Sequence, residues 1–335
     1  MPRRTTMPKK STNFASKRAR RLAFAFAAAV SFLLASSALP LEVTEESAWQ
    51  GNSEETQSQQ SPSTHTIGKF HPASTVSHAF ATPAVEPAGE LVRAVVANEL
   101  TDREQFRNWM FLIEKREGKQ TLTEVQADTK TGPLYRLLAI DGRALNPDQR
   151  RQDDARIRNL LKDPKPLQKL KESQKDDELK LQKLVSLMPQ AFVYDYDGFE
   201  EDLLRIKFRP NPAYSPSSYE ARIVHSLAGT ILVDPAQKRL AKVVAHLTGR
   251  VDFGYGLLGR VDSGTVELRR IEVTPQLWKT SFINIQFAGR IALFKSFTKD
   301  QYEQRSDFQV VSSDLSLSEA KDLLVSRLPP SPRIP

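Results

Sequence analysis

The stretch VDFGYGLLGRVDSG, residues Val251 to Gly264, decides which fold the chain can adopt. It holds a D-F-G triplet at Asp252, Phe253 and Gly254 and, overlapping it, the spacing G-x-G-x-x-G at Gly254, Gly256 and Gly259. In a dinucleotide-binding unit these glycines follow a strand and open a helix, so that helix amides and the helix dipole face the pyrophosphate. Upstream, RLAKVVAHLTGRVDF reads as strand, but RVDSGTVELRRIEV downstream reads as a second strand. No helix N-terminus is offered to a phosphate. The kinase reading needs a catalytic-loop H-R-D as well, and none occurs. The expectation is therefore no nucleotide, with Gly254, Gly256, Gly259 and Gly264 serving as turn and bulge positions of a bent sheet.

Outward from this stretch, the sequence from Ala191 onward is a series of short Val-, Ile- and Phe-rich segments bounded by Gly, Pro, Asn or Asp. They are AFVYDYDG, LLRIKFRPNP, GTILVDP, RLAKVVAHLTGRVDF, GTVELRRIEV, SFINIQFAGRIALFKSF and the polar DQYEQRSDFQVV. Such regular spacing predicts a large antiparallel sheet. Upstream, RNWMFLIEKREG alternates Trp109, Phe111 and Ile113 on one face with Met110, Leu112 and Glu114 on the other. With TLTEVQADT and PLYRLLAIDG it predicts a three-stranded meander. PAGELVRAVVANELTDRE before it reads as a short helix with Leu91, Val95 and Leu100 near one face.

Between Asn146 and Gln190 the chain becomes highly charged and helical. A break at Asp163-Pro164-Lys165-Pro166 ends one helix and starts the next. Leu167, Leu170, Leu179, Leu184 and Leu187 supply a narrow apolar stripe, and the Lys and Arg are interleaved with Asp and Glu, which predicts a solvated helix and no nucleic-acid partner. At the C-terminal end, Ser316 and Glu319 have capping-box spacing before a last short helix.

The formal charge of +8 is concentrated at the N-terminus. Arg3, Arg4, Lys9, Lys10, Lys17, Arg18, Arg20 and Arg21 precede the uncharged LAFAFAAAVSFLLASSA, and without them the remainder is near neutral. A basic region, an apolar run and small residues at Ser36-Ser37-Ala38 read as an export signal over residues 1–38. The alternative is an uncleaved membrane anchor over Leu22 to Leu41 with the body outside the cytoplasm. A Ser-, Thr-, Gln- and Pro-rich linker over 39–86 buries too little apolar surface to order itself. One domain over 87–330, with the charged helical insertion at 146–190, then forms a periplasmic or secreted body. Cysteine is absent, so packing alone must stabilise that body.

Chemistry is poorly nominated. G-x-S-x-G, H-E-x-x-H and S-x-x-K with its partner motifs are all missing, and His225 and His246 alone lie in the body. Asp195, Asp197, Glu200, Glu201 and Asp202 lack calcium-loop spacing and read as a solvent-facing hairpin. His65, His71 and His78 read as scattered linker residues. The expectation is a protein that is not an enzyme and has no metal and no cofactor.

The order of export signal, short helix, meander, charged helices and long strand series resembles the periplasmic lipoprotein carriers. LWKTSFINIQFAGRIALFKSF, alternating Phe282, Asn284 and Gln286 against Ile283, Ile285 and Phe287, is the part most similar to outer-membrane lipoprotein-sorting proteins of the LolA and LolB kind. The resemblance implies an α+β fold in which a large curved antiparallel sheet, a half-barrel, is closed by helices over an apolar hollow that takes acyl chains. Trp109, Phe111, Ile113, Ile283, Ile285 and Phe287 are the expected ligand-binding residues. The expected partner is a lipid or an acylated protein, with membrane-surface contact left open. A filled sheet serving as an exported interaction module is the alternative, and a hydrolytic enzyme the third. If the export reading holds, N-terminal sequencing of the periplasmic or secreted protein should find its first residue near Leu39, whereas a cytoplasmic protein that keeps Met1 would contradict it.

Overall fold

A computed structural model of the protein describes residues 86–104, 108–291 and 295–326. The expected export signal and nearly all of the expected linker fall on residues 1–85, outside the described residues. The described chain is α+β. Helix α1 (Ala88–Glu104) leads into the meander β1 (Asn108–Glu117), β2 (Gln120–Ala127) and β3 (Leu134–Ile140), followed by the short β4 (Arg143–Ala144). Helices α2 (Pro147–Lys162) and α3 (Lys165–Ala191) come next, then β5 (Phe192–Glu200), β6 (Leu203–Pro210) and α4 (Tyr219–His225). The chain finishes with β7 (Leu227–Asp234), β8 (Arg239–Leu247), β9 (Val251–Phe253), β10 (Gly259–Thr274), β11 (Leu277–Ile291), β12 (Lys295–Val311) and α5 (Leu317–Ser326).

All described strands join one sheet in the order β4-β3-β2-β1-β12-β11-β10-β8-β7-β6-β5, with β9 on β10. The sheet is open: β4 and β5 are its edges. Every ladder is antiparallel. As the glycine stretch predicts, the segment after Gly259 is a strand, β10, which pairs with β11 from Gly259 opposite Ile291 onward. Strands β10 to β12 run for 16, 15 and 17 residues, well above the usual strand length. Bulges between Val261 and Ser263, Arg269 and Arg270, and Glu272 and Thr274 let β10 keep register with β11 while bending.

Some elements depart from the sequence reading. SFINIQFAGRIALFKSF is not one strand but contains the end of β11 and the start of β12. Helix α4 is an additional element, started by Ser218, whose side chain accepts from Ala221 N. Helix α3 continues through Pro189 to Ala191. The expected caps are present: Ser316 N donates to Glu319 Oε2 at 2.8 Å and Glu319 N to Ser316 Oγ at 3.3 Å. Asn146 and Gln149 form a second such box at the head of α2, with Pro147 in the first turn.

Directly paired residues share a face, which sorts the core into two sides. The near face carries Phe208, Ile231, Ala245, Val266 and Ile285. It is packed by Leu91, Val92 and Val95 of α1, Leu181 and Leu184 of α3, and Ile223 and Val224 of α4. The far face of the meander carries Met110, Val125, Ala127 and Leu134 and is packed by Leu167 at the head of α3 and by Ala320 and Leu324 of α5. Helix α3 therefore serves one face at its start and the other near its end. Leu179, expected in its apolar stripe, is 48% exposed and Leu181 is buried instead. Leu181 lies 14 residues beyond Leu167, within about 40° of it around the helix, whereas Leu179 is offset from Leu181 by two positions, about 200°.

The interior of the sheet fits closely around Gly229, in β7. A Cβ there would lie 2.0 Å from Val244 O and 2.8 Å from Ala245 Cα, both backbone atoms of β8. Gly229→Ala should destabilise the protein by about 2–3 kcal/mol, as overpacked core sites do. Gly249→Ala, where a Cβ would meet nothing within 4 Å, should stay within about 0.5 kcal/mol of wild type. The two urea midpoints, measured side by side, check this.

Candidate functional site

The six residues expected to line a ligand site are all buried, at 5% exposure or less. Pairing places them on one face. Ile283, Ile285 and Phe287 stand opposite Glu303, Gln301 and Lys299 of β12, and Ile113 stands opposite Arg305, the next residue on that side of β12. The structure does not bring the two sets into one cluster. Ile283, Ile285 and Phe287 belong to the core beneath α1 and α3. Trp109, Phe111 and Ile113 form a separate cluster with Phe308 and with Val273 and Leu277 from the β10–β11 hairpin tip. Phe111 stacks on Phe308 at 5.5 Å, Trp109 meets Phe308 edge-on at 6.3 Å, and Lys279 lies 4.4 Å from the Trp109 ring.

A polar band on the near face runs between the two apolar sets. Lys115 bridges Glu124 at 2.9 Å and Glu117 at 3.0 Å. Glu303 pairs with Arg305 and accepts from Gln301 Nε2 at 2.9 Å. Lys115, Glu124, Glu303 and Arg305 are all buried, and buried charges persist in folded proteins only when paired. Burial alone would lower the Lys115 pKa, but the attraction and hydrogen bonds of Glu124 and Glu117 outweigh it and hold the amine charged. Burial raises the Glu124 carboxyl, a shift that Lys115 only partly offsets. Lys299 is lowered, chiefly by burial. Apolar alternation does not mark this band, because DQYEQRSDFQVV reads simply as polar.

Helix α1 is fastened over the near face by polar side chains along its C-terminal half. Glu99 pairs with Arg270 of β10, both nearly enclosed, and Asp102 pairs with Arg239 of β8 at 2.8 Å. Asn98 donates to the carbonyls of Gln237 and Lys238, at 3.4 and 3.2 Å. At the other end of the helix, Lys238 reaches Glu86 at 3.1 Å and the Tyr196 hydroxyl donates to Glu86 O at 2.6 Å. Sequence reasoning missed Glu99, a buried acid. Its signal was its position: four residues after Val95, it falls on the apolar side of α1.

No family model, curated protein or solved structure matches this chain. The acids of the β5–β6 hairpin engage in ion pairs: Asp197 with Lys207 at 2.6 Å and Arg205 at 3.0 Å, and Asp195 with Arg209 at 3.8 Å. The Lys207 hydrogen bond, with the attraction of both cations, holds Asp197 below the usual carboxylate range. No group of three or more His, Asp or Glu able to hold a metal occurs among the described residues. His225 is hydrogen-bonded through Nε2 to Asn211 O at 3.0 Å and packs against Tyr214; His246 stands in β8 opposite Thr265. No described helix is long and apolar enough to cross a membrane.

Asp128, just after β2, sits under the Trp109 cluster and accepts from Trp109 N at 3.1 Å and Gln126 Nε2 at 3.3 Å. Burial raises its pKa above the ordinary 3.8, more than these hydrogen bonds and the nearby Lys279 and Arg305 lower it. A raised acid binds its proton more tightly in the folded state, so this group weakens stability as pH rises from about 3.8 through the folded pKa. Asp128→Asn, which keeps an acceptor oxygen for Trp109 N, should therefore gain stability over wild type at pH 7. The gain should vanish at pH 3, and urea unfolding at the two pH values reads it directly.

Proposed function

We propose that the chain is an exported, non-catalytic carrier or sensor of lipidic or acyl ligands, working as a curved sheet whose near face is capped by helices. One observation carries this reading. The apolar near face from β5 to β11 is covered by helices and not by a second sheet, and α1 rests on it through Leu91, Val92 and Val95 with polar side chains fastening its ends. Such a helix can lift without breaking a strand ladder, and the apolar core it helps to cover includes Ile283, Ile285 and Phe287. Each CH₂ of an acyl chain buried there contributes about 0.8 kcal/mol, so charge need contribute little and binding should survive high salt. The ligand is a free lipid or the acyl group of a modified protein. No cofactor and no nucleotide enter the reading.

A second reading has its own support. Ile285 and Val233 are 0% exposed and Ile283 1%, which is how a permanently filled core looks, and the chain would then be an exported interaction module. Displacement of a fluorescent fatty acid from delipidated protein separates the two. The Asn98 side chain lies 3.2 Å from Lys238 O, so a short bis-thiosulfonate linker between Asn98→Cys and Lys238→Cys can tie α1 to the β7–β8 turn without competition from any native cysteine. The carrier predicts uptake by wild type, loss of uptake in the cross-linked double variant, and recovery when the linker is released by reduction. Absence of uptake by wild type leaves the interaction module; equal uptake by the cross-linked variant moves the site away from α1.

A further inference from the structure

The β9–β10 turn, where the chain's glycine fingerprint lies, remains without a role in either reading. It carries an unusual surface. Tyr255 is 103% exposed, Leu257 60% and Leu258 39%, all within four residues. Tyr219 of α4, 40% exposed, extends the patch by packing edge-on against Phe253 at 5.1 Å. Turn tips normally carry polar residues, and large apolar side chains left in water at one point mark a contact surface.

The turn is also held in shape. Gly256 N donates to Phe253 O at 3.1 Å, Leu257 N to Gly254 O at 3.0 Å, and Leu258 N to Phe253 O at 3.2 Å. Gly254, Tyr255 and Gly256 all have positive φ, at 56°, 55° and 80°, a run that the two glycines make accessible. Leu258 folds back over Gly254, where a Cβ would meet its Cγ at 2.5 Å. Tyr255 and Leu257 are thus presented outward by a fixed backbone.

Cations lie beside this tip and on the strands next to it. Arg250 and Arg260 flank it in sequence, Arg290 is the cross-strand partner of Arg260, and Lys295 that of Ile291, beside Gly259. Arg222 lies 6.0 Å from the Phe253 ring. The acids nearby are Asp252, paired with Arg250 at 3.0 Å, Asp262, paired with Arg260 at 2.9 Å, and Glu220 of α4. Arg290 and Lys295 are exposed, and the local balance is positive.

We propose that this turn docks the protein on an anionic lipid surface, with Tyr255 and Leu257 inserted at the headgroup boundary and Arg290 and Lys295 against lipid phosphates. Two or three apolar side chains are far too small for a specific protein interface, which needs about 800 Å² on each partner. A lipid surface needs only a short apolar insertion backed by cations, and tyrosine is at home at that boundary. The inference goes beyond the carrier reading and does not require a ligand on the near face.

The test places a reporter at the tip of the full-length chain. Tyr255→Trp is mixed with vesicles of phosphatidylcholine containing phosphatidylglycerol, with bromine on the acyl chains, and wild type supplies the background from the native tryptophans. Docking predicts that brominated lipid quenches the introduced indole, that Leu257→Asp in the same background removes most of the quenching, and that pure phosphatidylcholine gives much less. Arg290→Glu with Lys295→Glu should weaken apparent affinity for the anionic vesicles about tenfold or more. Circular dichroism and melting should be unchanged, since every altered side chain is exposed. An indole that stays unquenched while the protein sediments with vesicles through another segment overturns the proposal, as does quenching indifferent to Leu257→Asp or to the charge reversals. Loss of fatty-acid uptake would bear on the carrier reading alone.

Discussion

The ladder between β1 and β12 holds the structure together. Asn108 to Lys115 pair with Val311 to Glu303, and without these bonds the meander β4-β3-β2-β1 and the run from β12 to β5 would be two separate sheets. The pairing joins segments from opposite ends of the described chain, so its loop-closure cost is among the largest in the fold. Its side chains are correspondingly well anchored: Ile113 at 1% exposure on the near face, with Arg305 opposite it and Lys115 opposite Glu303. A bulge at Asp307, which has positive φ, lets Phe308 reach Phe111 while Arg305 turns toward Glu303.

That seam also explains why the near face is divided. An apolar residue at every inward position of β12 would merge the Trp109 cluster with the core beneath α1. Lys299, Gln301, Glu303 and Arg305 occupy those positions instead. Enclosing such groups is costly in itself, and the arrangement holds because Lys115–Glu124 and Glu303–Arg305 each supply a partner. Truncating one member takes from a buried charge its nearest counter-charge, and so the seam specifies its register strongly even where its net contribution to stability is small.

The helices follow from what the sheet leaves open. An antiparallel sheet with apolar residues on both faces of the meander needs covering twice, and a single long helix can begin on one face and end on the other only if the chain between strands is long enough. The segment from Pro147 to Ala191 provides this. Its many charges point to solvent, while Leu167 and Leu181 with Leu184 reach the two cores. Helix α1 completes the near face, and its buried Glu99 meets Arg270 at the place where β10 bends. The apolar tip at Tyr255 and Leu257 lies outside this scheme: nothing in the packing requires it, which is why it reads as a contact surface.

Local order was legible in the sequence. The meander, the break at Asp163-Pro164, the capping box at Ser316, and a strand in place of a helix after Gly259 all depend on side-chain period or on backbone chemistry within a few residues. Alternation within a strand was legible too, setting Ile113 against Leu112 and Ile285 against Asn284; that Ile113 and Ile285 share a face depends on the registers of β1 and β11 with β12. Tertiary structure decided everything that depends on a distant partner. Which strand lies beside β1, whether Leu179 or Leu181 turns inward, whether Trp109 and Ile285 share a cluster, and that Glu99, Lys115, Glu303 and Arg305 are buried are set by non-local pairing. A one-dimensional pattern shows that a side chain faces inward, but the neighbour that meets it there is fixed only when the whole sheet closes its order.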